Sequence, residues 1–209
     1  MFKDRKEAGE LLAEKLQSFK NKKDVIVFGI TRGGVTTAWE IASELKLPFE
    51  IIVIKKIGAP LNPELAIGAV GPGKTVYWEK KLLKDLFVTH DYKAEALDVK
   101  NQEREELEKN LRGKKKQLKI ANKTIILADD GVATGATVLC ALKYFKKKKA
   151  GKVILAAPVI AKDTYDNIEK YFDSIVTIEV ANDLNAIGQF YKDFSQVENK
   201  EVKDIISRT

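Results

Sequence analysis

The chain has 209 residues, with 37 lysines and arginines against 30 aspartates and glutamates, and a net charge of +7 at neutral pH. A hydrophobic share of 44% is enough to bury a core, so a wholly disordered chain is excluded. The single cysteine, Cys140, and the single histidine, His90, exclude a disulfide framework and a zinc site built from those two ligand types alone.

The predicted elements begin with a charged amphipathic helix over residues 4–20, where Asp4 and Glu7 have capping-box spacing. This N-terminal segment is not a basic patch followed by an apolar stretch, so it does not look like a secretory signal. No apolar run approaches the roughly 20 residues that a membrane-spanning helix needs. We therefore expect a cytoplasmic protein with no membrane partner.

Two apolar runs, residues 25–28 and 49–54, flank a glycine-rich loop and a predicted helix over residues 35–45. Continuous apolar runs of this kind are typical of strands buried on both faces, so they predict a parallel sheet. The pattern returns later in the chain as strands and helices at residues 124–128, 138–145, 153–157, 162–171, 175–179 and 198–206, with an aromatic helix predicted around residues 189–194. The sequence therefore predicts an α/β fold with a mainly parallel sheet flanked by helices, in a single domain over residues 1–209.

Residues 56–122 interrupt this pattern and form a predicted insertion. Glycines and prolines break up its first part, which leaves short strand candidates at residues 66–70 and 75–78. A polar helix over residues 94–111 follows, and its composition indicates a solvated helix that covers another part of the molecule. A polar excursion of this length inside an α/β domain favours a lid or another functional insertion over a linker.

Two lysine runs, residues 114–116 and 146–149, contribute much of the positive charge. One interpretation is a solvated, lysine-rich surface of the kind found in proteins that work at high temperature. The other is attraction for polyanions, either nucleic acid or a phosphorylated small molecule. Composition alone leaves both interpretations open.

The segment TIILADDGVATGATV, residues 124–138, carries the clearest chemical signal. An apolar strand ends in two adjacent acids, and small residues and hydroxyls then lead into a helix. Ligands of open parallel sheets bind beyond the carboxyl ends of the strands, and successive amides at a helix N-terminus form a cradle for phosphate. Two carboxylates beside a phosphate require a neutral diol or a metal as their partner, which a sugar phosphate would satisfy. The loop lacks the GK[ST] ending of a P-loop.

This segment resembles the signature of the type I phosphoribosyltransferases. The resemblance covers most of the chain through GITRGG (residues 29–34), KKIGAPLNPELAIGAVG (55–71) and DFSQV (193–197). It implies a type I phosphoribosyltransferase-like core that binds 5-phosphoribosyl 1-diphosphate, with residues 56–122 as a lid and residues 180–209 as a C-terminal hood. The last two stretches look like a subgroup of predicted phosphoribosyltransferases whose acceptor is unassigned.

The resemblance also implies roles for individual residues. Asp129 and Asp130 would be catalytic, taking the ribose hydroxyls and, through water, a Mg²⁺ ion as cofactor. The 5′-phosphate would be wrapped by Gly131, Val132, Ala133, Thr134, Gly135, Ala136 and Thr137. The diphosphate would be bound by Thr31, Arg32, Gly33, Gly34, Lys55 and Lys56, with Arg32 and Lys55 as further catalytic residues.

A cis peptide and several basic residues are expected around the implied diphosphate site. The family's loop often holds a non-proline cis peptide, which is expected here at Thr31–Arg32. Lys55 and Lys56 end the second predicted strand, where the alternative interpretation is two ordinary edge lysines. Arg104 and Lys109 on the polar helix are either further diphosphate contacts or ordinary surface charges.

The acceptor is not identified by the sequence. Family members acting on 6-oxopurines carry an acid three positions after the second acid of the pair, where this chain has Ala133, so a 6-oxopurine acceptor is disfavoured. Acceptor recognition in the family comes from the hood. We place it at residues 180–194, with Asp183, Phe190 and Tyr191 as candidates to pair with or stack on a ring.

The implied function is a phosphoribosyltransferase of nucleotide metabolism. It would transfer the phosphoribosyl group to a nitrogenous base or amine, with Mg²⁺-assisted release of diphosphate. The alternative is a regulatory protein that senses 5-phosphoribosyl 1-diphosphate and binds nucleic acid without turnover. Nucleic acid is the less favoured partner because the lysine runs are not interleaved with aromatic residues, and a homodimer is left open.

Overall fold

The computed structural model describes residues 1–113, 115 and 117–208, so Lys114 and Lys116 of the first lysine run lie outside the described residues. The helices are α1 (Arg5–Lys15), α2 (Gly33–Leu45), α3 (Lys80–Asp85), α4 (His90–Arg112), α5 (Ala136–Lys147), α6 (Lys162–Ile168) and α7 (Asn199–Ser207). The strands are β1 (Val25–Ile30), β2 (Phe49–Ile52), β3 (Lys55–Ala59), β4 (Asn62–Gly71), β5 (Thr75–Trp78), β6 (Thr124–Ala128), β7 (Lys152–Ala161) and β8 (Ser174–Ala181).

Five strands form a parallel main sheet in the order β2-β1-β6-β7-β8. From β1 the chain first runs to one edge of the sheet, and from β6 it runs to the other, so the strand order reverses between these two strands. The predicted α/β fold, with a mainly parallel sheet flanked by helices, is confirmed. The carboxyl ends of β1 and β6 are therefore where a ligand crevice is expected.

Side-chain alternation along β1 explains its continuous apolar run. Val25 and Val27 join the core formed with α1, α2 and α7, whereas Ile26 and Phe28 join the core formed with α5. The ring of Phe28 meets the ring of Phe145 edge-on, with 4.9 Å between their centroids. Because helices cover both faces, every position of the strand loses apolar surface from water, at about 25 cal/mol per Å².

The predicted insertion contains a second sheet, which is antiparallel with the order β3-β4-β5. Its residues Ile57, Ile67 and Val70 pack with Tyr92 and Leu97 of α4. The polar helix therefore covers another part of the molecule, as its composition predicts. Helix α5 contacts β4 and β5 as well as β7, so it lies between the two sheets and joins them.

Helix α4 is longer than predicted, because it begins at the exposed His90. Arg104 on this helix is buried beside Glu108, with which it forms an ion pair, so it is neither a surface charge nor a group facing ligand. Near the end of the helix, Arg112 Nη1 lies 2.8 Å from Glu50 Oε1 on β2. None of the helices within the described residues combines the length and apolarity needed to cross a membrane.

Two element boundaries near the predicted site differ from the sequence prediction. Helix α2 begins at Gly33, so the last two residues of GITRGG are helical. Lys55 and Lys56 begin β3 and do not end the preceding strand, because they pair with Val70 and Ala69 in the second sheet. The two lysines thus belong to the insertion and not to the main sheet.

The predicted aromatic helix over residues 189–194 is absent from the structure. A 3₁₀ turn at Ile187–Phe190 leads into extended chain. The reason is a tertiary pairing: Phe2 N–H donates to the Phe190 carbonyl at 2.7 Å, and Lys192 N–H donates to the Phe2 carbonyl at 2.8 Å. The N-terminal residues therefore take part in building the predicted hood.

Candidate functional site

A large cleft lies at the carboxyl ends of β1 and β6, where the strand order of the main sheet reverses. Its volume is about 950 Å³. The walls come from the β1–α2 loop, the start of β3, the β6–α5 loop, and hood residues 185–188 and 194. The lining includes Thr31, Arg32, Gly33, Lys55, Lys56, Glu64, Leu107, Asp129, Asp130, Gly131, Ala133, Thr134, Gly135, Thr137, Asn185, Ile187, Phe194 and Asn199.

Most of the residues that the sequence predicts for the site line this one cleft. Three of them, Gly34, Val132 and Ala136, do not line the cleft. Each is buried behind the residues that do. The Thr31–Arg32 peptide bond is cis, as the family resemblance predicts. The structure thus brings together the β1–α2 loop, the start of β3 and the β6–α5 loop, which are separated by up to about a hundred residues in the sequence.

The β6–α5 loop is held against the neighbouring strand by Val132. Val132 N–H donates to the Val159 carbonyl at 2.9 Å, and Ala161 N–H donates to the Val132 carbonyl at 2.9 Å. The Thr164 hydroxyl of α6 donates to the carbonyl of Ala133. These bonds fix the loop from behind and leave the backbone of its later residues facing the cleft.

Helix α5 begins at the end of this loop with its amides unsatisfied. Gly135 occupies the N-cap position with a left-handed φ of +77°, and no side chain caps the helix. The first-turn N–H groups of a helix lack intrahelical partners and carry partial positive charge. Together with the hydroxyls of Thr134 and Thr137, they form a site suited to an anion such as phosphate.

Asp129, the first acid, is buried at the end of β6. Its Oδ1 accepts a hydrogen bond from the Asp130 N–H at 3.0 Å. Burial raises the pKa of the Asp129 carboxyl well above its ordinary value, and the negative charge of Asp130 raises it further, while Lys56 opposes the shift. A buried carboxyl of this kind is primed to gain stabilisation from a cation or from hydroxyl donors in the cleft.

Asp130, the second acid, is held by Arg5 and Tyr191. The sequence predicts neither of them as a partner of this acid. Arg5 Nε lies 2.7 Å from Asp130 Oδ2, and the Tyr191 hydroxyl donates to the Asp130 carbonyl at 2.7 Å. Arg5 gives no sequence signal, because it is one of several charged residues in the first turn of α1 and lies 125 positions from its partner. Tyr191 is a predicted acceptor residue, but it is buried beneath the cleft and does not line it.

Three cations, Arg32, Lys55 and Lys56, line the same cleft as the acids. Arg32 has no ion-pair partner within the part of the chain that the structure describes. Lys55 Nζ lies 3.5 Å from Glu103 Oε2 on α4, and Lys100 Nζ lies 2.6 Å from the other oxygen of that carboxylate. The Lys100 hydrogen bond is the main cause of a lowered pKa at Glu103. These cations give the cleft positively charged groups that are suited to a second anionic group.

The hood residues that reach the cleft differ from those that the sequence predicts. Ile187 and Asn185 line it, whereas Asp183 is exposed outside it and Phe190 packs into the small core around Phe2. Phe194 also lines the cleft, but one face of its ring is covered by the Arg5 guanidinium. Residues 185–188, including the apolar Ile187, and Phe194 are the hood residues that line the cleft.

The described residues contain no group of three or more histidine, cysteine, aspartate or glutamate side chains that could hold a metal directly. Asp129 and Asp130 together supply two carboxyl groups at the cleft. Such a pair suits Mg²⁺, which keeps several waters and binds protein through one or two carboxylates plus substrate phosphates. It does not suit zinc, which requires three or four protein ligands.

Comparisons with known proteins agree with this geometry. A family model described as "Phosphoribosyl transferase domain" matches residues 3–194. A Mycobacterium tuberculosis protein named "Putative phosphoribosyl transferase Rv0571c" is 34% identical over 214 residues, which cover 100% of this chain and 47% of the relative. The chain thus spans about half the length of the curated relatives it matches.

Solved structures share the fold. The crystal structure of the TT1426 protein from Thermus thermophilus superposes with a TM-score of 0.83 at 30% identity, covering 100% of this chain and 98% of that one. The AQ2163 protein from Aquifex aeolicus superposes with a TM-score of 0.53 at 16% identity, covering 88% and 78% of the two chains. The second likeness is one of fold alone.

Proposed function

The chain belongs to the phosphoribosyl transferase family, and from that premise we propose that it transfers the phosphoribosyl group of 5-phosphoribosyl 1-diphosphate to a nitrogenous base or amine. In this reaction the acceptor nitrogen forms a bond to the anomeric carbon, and the bond from that carbon to the diphosphate oxygen breaks. The proposal concerns this chain, which is about half as long as its curated relatives.

The observation that carries the proposal is the set of charged groups that line one cleft. An anion site at the start of α5, two acids and three cations all line it. A molecule with a phosphate at one end, hydroxyls in the middle and a diphosphate at the other end matches this set of groups. 5-Phosphoribosyl 1-diphosphate has that arrangement of groups.

The 5′-phosphate would be held by the loop at residues 131–137 and the first turn of α5. Asp129 and Asp130 would accept hydrogen bonds from the ribose hydroxyls. Each hydrogen bond to a charged group contributes about 1.5–3 kcal/mol, so three or four of them would fix the sugar phosphate firmly. The ribose would then present its anomeric carbon toward the cations of the cleft.

The departing diphosphate would be stabilised by Arg32, Lys55 and Lys56, together with the amides at the start of α2. Fixed positive groups stabilise charge that develops in a transition state without reorganising, and this is their main contribution to rate. Helix α4 and the second sheet border the same side of the cleft and would act as a lid that excludes water. Exclusion matters because water would otherwise hydrolyse the activated sugar.

Mg²⁺ is the cofactor we propose, held through water by Asp129 and Asp130 and directly by the diphosphate. When bound, the ion would supply further positive charge to the leaving group. The two carboxyls at the cleft fit an ion that keeps its water shell. Their role in this chain would be to orient those waters and the ribose hydroxyls.

The acceptor would enter from the side of the hood. We propose that it contacts Ile187, Asn185 and the backbone of residues 185–188, which reach the cleft, in preference to the predicted Asp183, Phe190 and Tyr191. Ala133 lines the cleft where members acting on 6-oxopurines carry an acid. A base that needs an acidic partner at this position is therefore disfavoured.

The test is a screen of nucleobases and small amines for diphosphate release in the presence of Mg²⁺. Asp130→Asn is the inactive variant, and Asp98→Asn, which alters an exposed acid on α4, is its matched control. We expect release with one acceptor class, loss of at least a hundredfold in Asp130→Asn, and no change in Asp98→Asn. Release by Asp130→Asn at the parent rate would contradict the role of the acid pair.

The regulatory alternative predicts binding without turnover. The lysines of the second run lie at the end of α5, where Lys147 and Lys148 are exposed. Uptake of 5-phosphoribosyl 1-diphosphate without turnover, together with salt-dependent binding of RNA or DNA, would favour a sensor. Diphosphate release that depends on Mg²⁺ and on one acceptor would favour the enzyme.

A further inference from the structure

Arg5 connects the N-terminal helix both to the acid pair and to the hood. Its Nε donates to Asp130 Oδ2 at 2.7 Å, and its Nη1 donates to the Ser195 carbonyl at 2.8 Å. Its guanidinium carbon lies 3.8 Å from the centroid of the Phe194 ring. The Arg5 side chain is only 10% exposed. A planar guanidinium with three partners in fixed directions has a single orientation, which the flexible ammonium of a lysine would not reproduce.

This arrangement fixes the Asp130 carboxylate at the edge of the cleft. Arg5 takes Oδ2, and Asp130 lines the cleft. Gly33, the first residue of α2, makes room for the pair. A methyl group at Gly33 would overlap Asp130 Oδ2 and would lie 3.0 Å from Arg5 Nε. The carboxylate is thus held from one side, at the edge of the cleft.

Arg5 also changes the charge that the site presents to a phosphorylated ligand. Two adjacent acids beside an anion-binding loop would repel the ligand that the loop attracts. The guanidinium sets one positive charge against the two carboxyls, and an arginine side chain stays protonated at any working pH. Because the ion pair is largely withdrawn from solvent, salt screens it less than it would an exposed pair.

We propose that Arg5 is a positioning residue of the phosphoribosyl-binding site. It fixes the Asp130 carboxylate at the edge of the cleft, offsets the charge of the acid pair, and ties the hood to that pair through Phe194 and Ser195. The identity of the ligand rests on the proposed function, but the coupling of acid pair and hood through Arg5 does not.

The first experiment measures binding of 5-phosphoribosyl 1-diphosphate with Mg²⁺ by titration calorimetry. Arg5→Ala is compared with Arg5→Lys and with Lys6→Ala, a neighbouring cation on α1 that is 63% exposed. We expect Arg5→Ala to raise the Kd at least tenfold, Arg5→Lys to restore part of the affinity, and Lys6→Ala to leave it unchanged. A parent-like Kd in Arg5→Ala would overturn the inference.

A rescue measurement separates positioning from a folding defect. Millimolar methylguanidinium can occupy the space left in Arg5→Ala, whereas methylammonium lacks the planar donor arrangement. We expect methylguanidinium, and not methylammonium, to lower the Kd of Arg5→Ala toward the parent value. Equal effects of the two cations, or none, would contradict a directional role for the guanidinium.

Hydrogen exchange without ligand tests the coupling independently of substrate identity. We expect faster exchange in Arg5→Ala over residues 129–137 and 186–197 together, and no change in Lys6→Ala. Unchanged exchange in both segments would overturn the coupling. If the parent takes up no 5-phosphoribosyl 1-diphosphate, the proposed function fails, and the exchange result alone decides whether Arg5 joins the acid pair to the hood.

Discussion

Ile187 of the hood lies directly against Gly131, the residue that follows the acid pair. A methyl group at Gly131 would fall 2.5 Å from Ile187 Cγ2 and 2.7 Å from its Cδ1. The hood therefore rests on the start of the anion-binding loop, and the absence of a side chain at residue 131 sets their separation. The proposed phosphate site and the proposed acceptor site meet at this contact.

This contact predicts that Gly131→Ala weakens binding of 5-phosphoribosyl 1-diphosphate at least tenfold, because the added methyl group displaces either the loop or the hood. The measurement is calorimetric titration. The double variant Gly131→Ala/Ile187→Ala removes the atoms that the methyl group would meet, so we expect it to recover most of the affinity. Gly73→Ala, at a residue outside the cleft lining, is the control for backbone strain, because its methyl group would meet nothing within 4 Å while its φ is +62°. A double variant as weak as Gly131→Ala would place the defect in the loop backbone and not in the contact.

The ion pair between Lys55 and Glu103 predicts opposite effects of two substitutions. Lys55→Gln removes a cation from the cleft and should weaken binding of inorganic pyrophosphate with Mg²⁺ about tenfold. Glu103→Gln releases Lys55 from its partner and should strengthen the same binding several-fold. Lys74→Gln, in an exposed pair with Asp98, should change nothing. Both effects should shrink as the salt concentration is raised from about 0.05 to about 0.5 M, because ions screen part-exposed charges. Weaker binding of pyrophosphate in Glu103→Gln would contradict the prediction and would show that the ion pair orients Lys55 productively.

The raised pKa of Asp129 predicts a pH-dependent gain in stability on substitution to asparagine. The folded chain keeps the proton of this carboxyl at pH values where the unfolded chain has lost it, so stability of the parent falls as pH rises from about 4 toward the raised pKa. Asp129→Asn retains an oxygen that can accept from the Asp130 N–H and has no proton to lose. Its Tm, measured without ligand and with chelator, should exceed that of the parent at neutral pH and converge with it near pH 4.

The matched control for that measurement is Asp98→Asn, because Asp98 is an exposed acid. It should show no comparable rise in Tm between acid and neutral pH. A constant Tm difference between Asp129→Asn and the parent at every pH would contradict the predicted direction of the pKa shift. We also expect Asp129→Asn to lose binding of the sugar phosphate, so that stability and function change in opposite directions.

The buried pair between Glu50 and Arg112 predicts a large loss of stability on breaking it. Arg112 Nη2 also donates to the Ile51 carbonyl at 3.0 Å, and the side chains of Arg112 and Glu50 are 9% and 5% exposed. Glu50→Gln leaves the arginine without its main counter-charge, and removal of one partner of a buried pair costs about 3–5 kcal/mol. Urea unfolding should show this loss, whereas Glu10→Gln in an exposed pair should lie within about 0.5 kcal/mol of the parent. A change below about 1 kcal/mol in Glu50→Gln would mean that water reaches the pair.

The sequence by itself determined the parallel core and the position of the acid pair, because both depend on neighbouring residues. A continuous apolar run buried on both faces, followed by acids and small residues, places a ligand loop at the end of β6 without knowledge of any distant contact. Neighbouring residues alone also predict the loop between β1 and α2. Strand direction then brings the ends of β1 and β6 together.

Only the tertiary structure decided which groups surround those loops. Arg5 meets Asp130 across 125 positions, Lys55 meets Glu103 across two elements of the insertion, and Tyr191 is turned beneath the cleft by pairing of its segment with Phe2. No local pattern encodes these contacts, because ion pairs and backbone pairing between distant segments depend on how helices and strands pack. The acids could be read from the chain, but the arginine that holds one of them depends on the fold.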